Sequence, residues 1–204
     1  MKRKLFFAAA AVVLTVVLVC GIYVINVYRI KKLGVTLTAS KDYPIKTTNY
    51  YLQNDPRWAA DPIGNSNSSL GGKGCLVSCV ATAITDLGTA KTPQEVNQML
   101  TQADGFLGAD LIWYKINEVC PQIDYKYSRV FTSRTIEQDL AAGLLPIVNV
   151  KYHKTGVTHW VLVAGAKDGE FYVLDPMKKD MAPLPLSDHG KVYAYRVLYR
   201  LDKK

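Results

Sequence analysis

Hydrophobic and polar positions follow three different patterns along the 204 residues. From Leu5 to Tyr28, 24 consecutive positions carry no charge, and a helix needs about 20 to cross a bilayer. Between Cys75 and Leu87 apolar and small residues succeed one another as in a buried helix, stopped by Gly88 in the C′ position. Thr92-Pro93-Gln94-Glu95 has the form of a capping box with proline at N1, opening a second helix with Val96, Met99 and Leu100 on one face. Leu111, Ile112, Lys115, Ile116 and Val119 predict a third helix, ended by Pro121. The period then drops to two. Ile123, Tyr125, Tyr127 and Arg129 alternate like a half-exposed strand, and a short helix runs from about Ser133 to Gly143. Strands are predicted over 146–150, 158–166, 171–174 and 192–201, the middle pair joined around Asp168-Gly169. Helices first and an antiparallel sheet second is an α+β layout, with a cleft between the two halves.

The apolar run is too long for the 7–15-residue core of a cleaved signal peptide, and Val27, Tyr28 and Arg29 follow it where small residues would be needed. A lipid on Cys20 is the competing reading, but Val19 before it is not small and Gly21-Ile22-Tyr23-Val24-Ile25 continues the apolar stretch. The organisation expected is a transmembrane signal anchor with basic flanks over 1–32, a stalk over 33–48 containing Gly34 and Pro44, and one domain over 49–204. Residues 5–28 would cross the cell membrane once, with the domain on the extracellular side.

The formal charge of +8 first suggests a polyanion partner. Lys2, Arg3, Lys4, Arg29, Lys31 and Lys32 flank the span, however, and leave 19 basic against 17 acidic side chains beyond it. No Lys/Arg run remains to form an electrostatic footprint, so nucleic acid is not an expected partner. Three cysteines lie beyond the span, an odd number and no disulfide scaffold, with a Cys79–Cys120 bridge left open. The three histidines are scattered and no Cys-x-x-Cys occurs, so neither a metal nor a cofactor is expected.

Candidate chemistry centres on Gly71-Gly72-Lys73-Gly74-Cys75, which carries a cysteine from a glycine-rich loop into an apolar helix. Unsatisfied N–H groups and the positive end of the helix dipole there favour thiolate over thiol. Such a sulfur needs a base, a group to orient the base, and donors for a developing oxyanion. His159 opens an apolar strand, Asp175 ends the next, and Gln53 precedes Cys75 by 22 positions. Cys79 is a rival nucleophile, one turn deeper in the helix and pointing into the core; His153 and His189 are rival bases with no acid partner on an adjoining strand.

Gln53-Asn-Asp-Pro-Arg-Trp, Gly74-Cys75 opening a helix, His159-Trp-Val-Leu-Val-Ala-Gly and Asp175-Pro176 together resemble the papain-like cysteine peptidases of the bacteriocin-processing (double-glycine) superfamily, peptidase family thirty-nine, over about residues 50–178. The resemblance implies a papain-like fold with Cys75 as nucleophile, His159 as general base and then acid, Asp175 holding the imidazole tautomer, and Gln53 as oxyanion donor. The chain departs from the family after the nucleophile, where Leu76-Val77-Ser78 stand in place of Gly-Pro and a hydroxyl residue. The function expected is an anchored, exported, monomeric cysteine peptidase acting on a peptide or protein. A cell-wall amidohydrolase of related fold and a non-catalytic peptide-binding module are the alternatives.

Strand register offers a check. A two-residue turn at Asp168-Gly169 would set Asp175 against Leu162, on the face away from His159. A three-residue loop over 167–169 would set it against Val161, diagonal to His159 on the same face. The catalytic reading therefore requires the longer loop.

Overall fold

The computed structural model describes residues 2–47, 50–152 and 156–201. Helix α1 (Lys2–Leu33) exposes Phe6, Phe7 and most of its apolar side chains from Val12 to Tyr28, while Ile30 is buried, and its Ala10–Leu33 stretch is, among the described residues, the one helix long and apolar enough to cross a membrane. It ends at Gly34, whose φ of 67° only glycine adopts readily and whose N–H returns to the Ile30 carbonyl at 3.0 Å.

Four helices follow: α2 (Leu70–Lys73), α3 (Cys75–Asp86), α4 (Pro93–Gln102) and, after the minute hairpin β1 (Phe106–Leu107) and β2 (Asp110–Leu111), α5 (Lys115–Val119). The capping box at Thr92 forms as expected, with Thr92 Oγ1 accepting from the Glu95 N–H and Glu95 accepting from the Thr92 N–H. The third helix is shorter than its apolar pattern suggested, because Leu111 is drawn into β2 opposite Phe106. Strand β3 (Ile123–Tyr127) and helix α6 (Ser133–Ala141) lead into β4 (Ile147–Tyr152), β5 (Val157–Lys167), β6 (Glu170–Leu174), β7 (Leu184–Pro185), a 3₁₀ turn over Leu186–His189, and β8 (Val192–Arg200).

The sheet is antiparallel in the order β3-β8-β4-β5-β6-β7 and carries a core on each face. Leu162, Ala164, Leu174 and Ile147 face α3, packing with Val77, Val80 and Ile84. Val161, Val163, Phe171 and Val173 face the other way, toward Ile136 of α6 and Leu186 of the 3₁₀ turn. Each such buried aliphatic contributes about 1.5–3 kcal/mol relative to exposure, so both faces hold the sheet in one register.

The β5–β6 turn corrects the requirement placed on it. Lys167 pairs with Glu170 across a two-residue turn, and Asp168 and Gly169 have φ of 53° and 83°, the signs of a type I′ turn. Yet Leu162 pairs with Leu174, one step away from what an unbroken ladder would give, because a bulge between Val163 and Gly165 inserts one extra residue in β5. Alternation flips there: Ala164 faces α3 while both Val163 and Ala166 join the opposite core. The bulge supplies the one-residue shift that a longer loop would have supplied, and Asp175 follows Leu174 to the Val161 position.

Residues 34–46, read from composition as a stalk, run bonded to the sheet. Val35 exchanges hydrogen bonds with Val192 and Tyr43 with Ala166, while the Lys46 N–H reaches the Ala164 carbonyl at 3.0 Å. The Lys46 ammonium also pairs with Asp86 at the end of α3, 2.9 Å away. The segment takes the edge of β5 that β4 leaves open beyond Pro146, and Gly165 lets it approach, since a Cβ there would stand 2.6 Å from the Pro44 carbonyl oxygen and 2.7 Å from the Ile45 Cα. Gly165→Ala is expected to lower stability by about 1–3 kcal/mol, read as a drop in the urea midpoint; an unchanged midpoint would show that the segment does not bear on β5.

Candidate active site

Cys75 owes its position to a break in a helix. Ser69 caps α2, accepting from the Gly72 N–H, and Gly74 closes that short helix and opens α3. Residues 70–73 are thus a helical turn where a glycine-rich loop was expected. Gly74 sits so close to the turn before it that a Cβ would lie 2.4 Å from the Leu70 carbonyl oxygen. In an unbroken helix the Cys75 N–H would donate to Gly71; here the Gly71 carbonyl accepts from Gln53 Nε2 at 2.8 Å, and the Cys75 N–H is left at the positive end of α3.

One turn on, the Cys79 sulfur lies 3.5 Å from the Trp160 carbonyl oxygen, fixing where α3 crosses β5 and setting Cys75 beside His159. Cys79 itself is buried, and burial pushes its thiol well up, with the charges of Cys75 and Asp175 adding to the effect. Such a sulfur is a poor nucleophile. All four cysteines are free thiols, so the Cys79–Cys120 bridge left open by the sequence is not formed.

His159 and Asp175 are both 3% exposed. His159 Nε2 stands 2.7 Å from Asp175 Oδ1, leaving Nδ1 as the ring nitrogen that can serve the Cys75 sulfur. Burial disfavours the charged ring, but the bonds to Asp175 and Cys75 outweigh it and raise its pKa to about 9. Burial likewise opposes the Asp175 carboxylate, yet His159, the Met177 N–H at 2.8 Å and the nearby His189 hold its pKa below the ordinary value. The His159 backbone is pinned from β4, where Asn149 Nδ2 donates to its carbonyl at 3.2 Å.

Gln53 is 1% exposed and clamped on both sides: its N–H donates to the Pro176 carbonyl at 2.9 Å, and two residues earlier the Tyr51 N–H reaches Thr82 Oγ1 of α3. With one Nε2 hydrogen on Gly71, the second is left for the groove. Cys75, His159 and Gln53 line that groove, which has a volume of about 750 Å³. The four groups read from the sequence therefore converge on one place. His153 lies outside the described residues, and His189 departs from expectation by having an acid partner, its Nε2 3.4 Å from Asp175 Oδ2.

Pattern reading missed much of the groove wall. Leu107, Gly108, Ala109 and Asp110 form one side, yet strands of two residues have no period to detect; the one signal was Gly108 after the apolar pair Phe106-Leu107. The Gly/Asn/Ser-rich stretch 61–74 contributes only Gly72 and Lys73, since Ile63 is buried and Asn97 accepts from the Gly64 N–H and donates to the Pro62 carbonyl.

The raised His159 pKa has a consequence for stability. Folded protein keeps the ring proton up to about pH 9, while an unfolded ring loses it near 6.5, so the stabilisation is complete below pH 6.5 and fades as pH rises to about 9. Between those limits the melting temperature should fall more steeply for the native sequence than for Asp175→Asn, measured calorimetrically; parallel slopes would refute a proton held by this pair.

No family model matches the chain, and no curated protein matches it. Among solved structures, the chain is similar to a crystal structure provisionally described as a C39-like peptidase from Bacillus anthracis, with 12% identity, a TM-score of 0.55, and coverage of 79% of this chain and 98% of that one. The likeness is one of fold: this chain has the mixed helix-and-sheet architecture of a C39-like peptidase.

Proposed function

We propose that the chain is a cysteine peptidase-type hydrolase, anchored in the cell membrane by α1 with its domain on the extracellular side, that cleaves a peptide or other amide bond in a polypeptide. The observation that carries this is the Cys75–His159–Asp175 arrangement opening onto a groove, with Nε2 to Oδ1 at 2.7 Å.

The Cys75 sulfur, as thiolate beside the protonated His159 ring, attacks the scissile carbonyl carbon. The carbonyl oxygen becomes an oxyanion, for which the Cys75 N–H and the second Nε2 hydrogen of Gln53 are the donors, the useful distance being about 2.7–3.1 Å. His159 gives its proton to the departing amine, and the C–N bond breaks to leave a thioester on Cys75. His159, now neutral, takes a proton from water, which attacks the thioester and restores the thiolate–imidazolium pair. Asp175 holds the ring in the tautomer that presents Nδ1 to sulfur.

Alkylation of Cys75 by iodoacetamide in the intact membrane fraction tests this without a known substrate. The native protein should label well below the ordinary thiol pKa of about 8.5, and His159→Ala should slow labelling at pH 6 by at least about 100-fold. Cys75→Ala should abolish both labelling and hydrolysis. Equal, slow labelling of native protein and His159→Ala would overturn the hydrolase in favour of a binding module.

A further inference from the structure

The mechanism leaves the buried imidazole of His189, beside the reacting groups, without a part. His189 ends the 3₁₀ turn Leu186–His189, with its side chain wholly shielded from solvent. Its ring lies against the sheet face that carries His159 and Asp175, with centroids 6.0 Å from the His159 ring and 6.5 Å from that of Tyr152. The two oxygens of Asp175 are divided between neighbours. Oδ1 receives His159 Nε2 and the Met177 N–H, whereas Oδ2 faces His189 Nε2 at 3.4 Å.

A carboxylate can turn about its Cβ–Cγ bond, and a turned Asp175 would present neither oxygen squarely to His159. We propose that His189 is a positioning residue of this site, holding Oδ2 so that Oδ1 stays on His159 and the imidazole stays aimed at Cys75. This rests on the reading of Cys75, His159 and Asp175 as the reacting groups. The other ionisable groups around the pair are Cys75 and Cys79 from α3, Tyr152 from β4, Tyr50 from the segment before α2, Asp180 beyond β6, and Glu170 and Asp188, the former accepting from the Ser187 N–H of the 3₁₀ turn. Of these groups, the two histidines are the ones with a ring nitrogen beside Asp175, at 2.7 Å from Oδ1 for His159 and 3.4 Å from Oδ2 for His189. The Tyr50 phenol is pushed up by burial and then by Asp175 itself, so it stays neutral.

The test is the pH profile of Cys75 alkylation by iodoacetamide in the full-length protein, with His189→Leu and His189→Gln compared to the native sequence. Outer partners of functional histidines are commonly worth about 10–100-fold, so His189→Leu should label about tenfold more slowly at pH 7. Its alkaline limb should move to lower pH, because a turned Asp175 no longer holds the proton on the His159 ring as firmly. His189→Gln, which keeps an N–H for Oδ2, should recover most of the rate. A His189→Leu profile that overlays the native one, with only the melting temperature changed, would make His189 a packing residue and end the proposal. A native profile that is that of a plain thiol and indifferent to His159→Ala would instead remove the reading beneath it. Should His189→Leu not fold, histidine Cε1–H signals in native protein and Asp175→Asn decide: the His189 signal should shift and titrate differently once the carboxylate is gone, and an unmoved signal overturns the proposal.

Discussion

One extra residue in β5 decides whether Asp175 and His159 share a face of the sheet. Side chains alternate with a period of two, so a ladder that ran unbroken from the Asp168-Gly169 turn would put Asp175 on the far face of the sheet from His159. The bulge at Ala164 undoes that, and nothing downstream could substitute for it, since both faces are buried and a slip of the whole strand would expose one core. Residues 43–46 lie along β5 at the bulge, where a side chain at position 165 would obstruct them.

Placing the carboxylate is also an electrostatic problem. A buried Asp and a buried His each lose hydration, a cost of several kcal/mol per ion, and burial works against the charged form of both. Each is offset by the other at 2.7 Å, and Asp175 also by the fixed Met177 N–H donor. The helix break at Gly74 completes the set: by surrendering the Gly71 carbonyl to Gln53 it orients the carboxamide and keeps the Cys75 N–H unspent.

Much of this was legible in the residues. The capping box at Thr92, the helix opened by Cys75 and the apolar strands around 147–152, 157–167 and 192–200 announce themselves because propensity, periodicity and burial agree there. Cys75, His159 and Asp175 were nameable because their neighbours set them at a helix start, near a strand start and after a strand end, and Gln53 because the resemblance to the peptidase family singled it out. The bulge was not legible, because an Ala-Gly pair in an apolar strand gives no local reason to break the ladder, and the segment packed against it, residues 43–46, is remote in sequence. The contact of His189 with Asp175 was equally hidden, for a histidine in a proline-rich loop has no period to say which face of the sheet the loop will cover. The β1–β2 hairpin is too short to leave a pattern, and Leu111 was claimed by the helix it abuts.

The bonded run from Gly34 to Lys46 bears on where such a domain could work. A loose tether lets a tethered enzyme sweep a volume set by linker length, but here Ile30 is already packed and Val35 is already paired with β8. With α1 in a bilayer, the groove would ride at a constant height and heading above the lipid surface. Reach would then be settled by geometry: polypeptides emerging from, or lying along, that surface could enter, and those diffusing freely at a distance would have to come to it.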